Sequence, residues 1–109
     1  MKPIRDFNHL MVLVRAANSD FIGHIKRAVC AERDHIMIDS NLHRTLYYTE
    51  WAEGQAELAF VEYVNGWLNG EWTLLPLTPF IHRPIHMQAW GVAELLKKSG
   101  VLDKLEVRR

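Results

Sequence analysis

Only one cysteine, Cys30, stands among the 109 residues, so neither an intramolecular disulfide nor a thiolate zinc cluster can be built. A lone cysteine most often serves as a small buried hydrophobe. Charge of one sign is equally scarce, because 13 basic residues offset 13 acidic ones. No global field therefore draws the chain to nucleic acid or anionic lipid, although charge can still be segregated along it. Long apolar runs are missing too. The longest strongly apolar stretch, Leu10 to Val14, is far too short to cross a bilayer. Met1 to Asp6 lacks the apolar core and cleavage site of a secretory signal, so cytoplasm is the expected compartment and no membrane partner is expected. A glycine-rich phosphate loop, a G-x-S-x-G elbow and a Cys/His nucleophile spacing are all absent. The reading is non-enzymatic, with no cofactor.

What is present is ordinary globular composition, 49% hydrophobic and 24% charged, which sets the chain apart from the disordered class. A chain of 109 residues fits one domain spanning residues 1–109, long enough to bury a core without staples. No repeat, low-complexity tract or Gly/Ser linker divides it. The hydrophobic spacing is helical. Ile4, Phe7, Leu10/Met11 and Val14 recur at three- and four-residue steps, one face of a helix. Asn18-Ser19-Asp20 then supplies cap formers, and Phe21/Ile22, Ile25, Val29 and Arg33 repeat the spacing as far as Asp34. A second cap cluster, Asp39-Ser40-Asn41, precedes Leu42, Leu46, Thr49, Ala52/Glu53, Ala56, Phe60, Tyr63 and Trp67. This stretch reads as one long helix or as two broken near Glu50, since Gly54 costs about 1 kcal/mol relative to alanine. Ala52, Gly54, Ala56 and Ala59 would admit another helix closely, and Gly66 and Gly70 end the stretch. After an irregular segment with three prolines, Pro84 suits a first helical turn. Ile85, Gln88/Ala89, Val92 and Leu95/Leu96 follow to a Ser99-Gly100 stop, and Val101 to Val107 adds a short turn.

The expected fold is mainly α, a small single-domain bundle of about four helices. A competing reading is α+β. It makes strands of Leu10–Val14 and Ile36–Ile38 around the helix at 20 to 34, a β-α-β unit, because short apolar runs are not assigned by periodicity alone.

Three constellations carry possible chemistry. His82 and His86 stand four apart in "FIHRPIHMQAW", a spacing used by zinc sites. The glutamate that a zincin needs beside the first histidine is replaced by Arg83, and no third ligand is indicated. The pair reads first as a helix entrance. Glu50, Glu53 and Glu57 form an acidic stripe at three- and four-residue steps, and with Glu62 and Glu71 they give five acids and no base over residues 50 to 71. Paired helical carboxylates can hold magnesium, but the matching second pair is absent, since Glu94 has no acid three residues on. A solvated face or a docking face for a basic partner remains. Lastly, residues 88 to 109 hint at a helix-turn-helix, with Lys97, Lys98, Lys104, Arg108 and Arg109 nearby. Lys97 stands where that motif sets a glycine, and Asp103 and Glu106 lie where phosphates would approach.

Aromatics are the least bland feature. Trp51 and Trp67, on the long helical stretch, are expected in the core. Trp72 lies just after Gly70 in an irregular apolar run with Leu74, Leu75, Leu77 and Phe80, which must rest on its own helices, a second copy or a partner.

The sequence therefore reads as a small cytoplasmic, non-catalytic protein-protein interaction module, an adaptor or inhibitor of the kind mobile elements carry. Its expected contact residues are Trp72, Leu74, Leu75, Leu77, Phe80, Glu50, Glu53 and Glu57. The expected partners are another protein and a second copy, as a homodimer. A nucleic-acid accessory role through the basic C-terminal end is the second reading, and a metal-dependent hydrolase the third.

Overall fold

The computed structural model describes residues 3–39, 46–70 and 84–103. Four helices fill them: α1 (Phe7–Asn18), α2 (Phe21–Asp39), α3 (Leu46–Leu68) and α4 (Pro84–Ser99). Among the described residues there is no strand. Leu10–Val14 lies within α1 and Ile36–Ile38 within α2, so the β-α-β alternative falls. The reason is visible in α1, where Leu10, Met11, Leu13 and Val14 are buried while Val12 is exposed. That is helical stepping with a broad apolar stripe, not alternation.

Local chemistry sets the helix ends. Asp6 is extended and accepts a hydrogen bond from the His9 N–H at 2.8 Å, while His9 Nδ1 accepts one from the Arg5 N–H at 3.1 Å. The exchange satisfies donors in the manner of a capping box. Between α1 and α2 the Asn18 side-chain oxygen accepts from the Asp20 N–H at 3.0 Å, as its cap-forming character implies. α2 runs five residues past Asp34, to Asp39. α3 is one continuous helix: neither Glu50, Gly54 nor Gly66 breaks it. Gly70 follows it with φ of 70°, and Gly100 follows α4 with φ of 74°, the left-handed conformation that suits glycine beyond a helix end. Ser99 donates to the Leu96 carbonyl and accepts from the Val101 N–H, tying the next helical turn to α4.

Every helix touches the other three, with the α2–α3 and α3–α4 faces the most extensive. Phe60, Leu10, Leu13, Ile25, Val64, Ile85, Val92 and Leu96 are fully buried in one cluster drawn from all four helices. Ile4, ahead of α1, belongs to the same core. Asn65 holds it there. Its side-chain oxygen accepts from the Ile4 N–H at 3.0 Å, and its amide nitrogen donates to the Ile4 carbonyl at 2.9 Å.

Candidate functional site

α3 is the helix with the most unusual surface. It carries Glu50, Glu53, Glu57 and Glu62 and no basic residue. Its inward row is Ala52, Ala56, Phe60 and Val64, all fully buried. Trp51 is 45% exposed and Leu58 59% exposed, and Gln55 and Glu62 are exposed with them. At 3.6 residues per turn these four positions fall within about 60° of one another, so they form a single outward strip.

The expectation of a core role for both tryptophans is thus corrected in part. Trp67 is half-buried against the core, but Trp51 faces out. The signal was in the sequence, since Trp51 stands one residue, about 100°, off the inward row begun by Ala52. Cys30, expected inside, is also exposed, because it follows the buried pair Ala28 and Val29 on α2.

The acidic stripe divides by environment. Glu50 is exposed, whereas Glu53 and Glu57 are half-buried. Glu53 lies near α2, where its charge helps hold the Arg33 guanidinium protonated, secondary to the Arg33–Asp34 hydrogen bond. Glu57 is in a different setting. Burial pushes its carboxyl above the ordinary glutamate value, and the neighbouring Glu53 charge pushes the same way. Glu57, Leu58 and Gly54 line an open depression of about 240 Å³ whose far wall is Asp6, Phe7 and Asn8 at the start of α1. Among the described residues, nothing apart from its own chain neighbours and the backbone of its own helix turns lies within 4 Å of where a Gly54 Cβ would be. The close approach expected at Gly54 is therefore not made by α1, α2 or α4, whereas Ala52 and Ala56 do lie in the core.

The remaining candidates are soon placed. His86 is 7% exposed and its ring sits against Tyr63, with centroids 4.4 Å apart and planes at 41°. It is a core imidazole packed on an aromatic; its place in the first turn of α4 is the one the helix-entrance reading gives it, but its burial was not foreseen. His82, and with it Trp72, Leu74, Leu75, Leu77 and Phe80, lies outside the described residues. Among the described residues, no group of three or more His, Cys, Asp or Glu side chains could hold a metal ion. At the end of α4, Lys97 is within 3.8 Å of Glu94, and residues 104 to 109 lie outside the described chain. No described helix is long and apolar enough to cross a membrane.

No family model, curated protein or solved structure matches this chain.

Proposed function

We propose that this protein is a small non-catalytic protein-protein interaction module, an adaptor or inhibitor, that meets its partner through the outward strip of α3. The observation that carries the reading is the pairing of Trp51 and Leu58, two turns apart on one face, each about half in solvent. Single exposed apolar side chains are normal on any surface. A tryptophan and a leucine on one strip, flanked by Glu50 and Glu57, have the composition of an interface anchor with a polar rim. The run from Trp72 to Phe80 adds a second apolar segment immediately beyond α3, which we assign to contact with a second copy. The compartment in which such a module would act is the cytoplasm.

The test is capture of cellular partners by crosslinking, comparing the wild-type protein with a Trp51→Ala/Leu58→Ala variant. A specific partner retained by the first and lost by the second, with equal melting temperatures, supports the reading. Capture that ignores the double substitution would sink it.

A further inference from the structure

Resting on that reading, we infer that the outward strip of α3 is a docking seam for a basic amphipathic helix of a different protein, with the depression beside Gly54 receiving one of its lysine or arginine side chains. Heptad spacing comes first. Trp51 and Leu58 are seven residues apart, as are Glu50 and Glu57, and as are Gln55 and Glu62. With Trp51 and Leu58 as the a positions of a seam, Glu50 and Glu57 fall at g and Gln55 and Glu62 at e, the places that set partner choice in paired helices. Gly54 falls at d.

The glycine is the second observation. A helix-interior glycine is unfavourable, and the described helices make no use of this one, since a side chain there would meet open space. At the centre of a seam it leaves a hollow between Trp51 and Leu58. That hollow opens into the depression lined by Asp6, Phe7, Asn8, Gly54, Glu57 and Leu58. Its lining combines the apolar Phe7 and Leu58 with the carboxylates Asp6 and Glu57, which suits a side chain with an aliphatic stem and a cationic head.

Charge then separates the occupants. A second copy placing its own α3 on this strip would set Glu50, Glu57 and Glu62 against the same three acids, with no base on either helix. Like charges across an interface oppose pairing, whereas a lysine- or arginine-flanked helix is matched at the three acidic flanks and can hydrogen-bond Gln55 at the fourth. A basic partner also relieves Glu57, half-buried beside Glu53 and without a cation of its own in the lining of the depression.

The experiment uses two fluorescent peptides of about three heptads, both with leucine at a and d, one with lysine and the other with glutamate at e and g. Anisotropy is read with the full-length protein at low and at physiological salt. The lysine peptide should bind, more weakly as salt rises, and the glutamate peptide should not. Leu58→Ala should weaken the lysine peptide about 30-fold, the scale of a 2 kcal/mol hot spot. Glu57→Gln should weaken it several-fold, with the melting temperature not lowered. Failure of the lysine peptide to bind, or binding indifferent to both substitutions, overturns the inference. Leu58-dependent binding of the glutamate peptide would overturn the partner's charge and leave the interaction reading standing. A monomer–dimer equilibrium that Leu58→Ala disrupts in sedimentation would give the seam to a second copy and overturn it as well.

Discussion

Asn65 shows how much a single side chain can hold. With its oxygen on the Ile4 N–H and its nitrogen on the Ile4 carbonyl, it meets both backbone polar groups of a residue drawn into the core ahead of α1. Removing one partner of a buried hydrogen bond costs about 1–3 kcal/mol. Asn65→Ala leaves two such groups, so denaturant unfolding should show a loss of about 2–6 kcal/mol. An unchanged midpoint would mean that Ile4 is held by packing alone. The clasp was illegible in the sequence because its partners are 61 residues apart, and an asparagine inside helical stepping looks like any surface residue. His9 is the other informative side chain. Its neutral ring accepts the Arg5 N–H, and burial together with the Arg5 charge lowers its pKa below 6.5 in the fold. The unfolded chain therefore binds the proton more readily, and stability present above pH 6.5 is lost as the pH falls through the lowered folded value. Chemical denaturation of wild type and His9→Ala at pH 7.5 and pH 5 should show the smaller pH dependence in the variant. Equal slopes would remove His9 from the acid response.

At the scale of the element, α3 carries most of what is unexplained by the fold alone. The stepping of Ala52, Ala56 and Phe60 was legible because every member of the row is buried. The continuity of the helix through Gly54 was not, since a glycine reads equally as a break or as a contact point, and only packing on both sides decides. Gly54→Ala should stabilise the protein by about 1 kcal/mol in a melt, because helix propensity improves and nothing described stands in the way. A loss of stability would reveal a neighbour at that spot. Glu57→Gln tests the same surface electrostatically. The folded carboxyl has a raised pKa, so the native state favours the protonated form and stability declines as the pH rises from 4.5 through the folded value. The glutamine variant should match wild type below pH 4 and exceed it at pH 7, read as a difference in denaturant midpoint. A lower midpoint at pH 7 would mean that the Glu57 charge is compensated rather than strained. Both substitutions exchange a small gain in stability for a poorer seam, a pattern expected of a functional surface and not of a core.

For the molecule as a whole, helix class was written in three- and four-residue steps that no strand could bury on one face, while the short apolar runs that suggested strands were edges of broad helical stripes. The division of labour among aromatic residues was legible only where a row of neighbours fixed the inward direction, as for Phe60. For Trp51 the row through Ala52 and Ala56 points about 100° away, and a tryptophan's usual core preference hid that signal. The distinction between core and contact can be tested by pairing two substitutions. Phe60 is fully buried in a cluster to which all four helices contribute, so Phe60→Ala should cost about 3–5 kcal/mol. That is a large part of a total of about 5–15 kcal/mol for a small domain. The loss should appear in one transition, seen alike by far-ultraviolet dichroism and by tryptophan fluorescence, because helices that all touch one another melt together. Association in sedimentation should be untouched for the fraction that remains folded. Trp72→Ala should do the opposite if the Trp72-to-Phe80 run meets a second copy: its midpoint should move little, while self-association weakens by about 2 kcal/mol or more. Two unfolding transitions in the Phe60 variant would end the description of the chain as one cooperative unit. A stability loss at Trp72 as large as that at Phe60, with self-association unchanged, would return the Trp72-to-Phe80 run to the core and leave α3 as the sole interaction surface proposed for this chain.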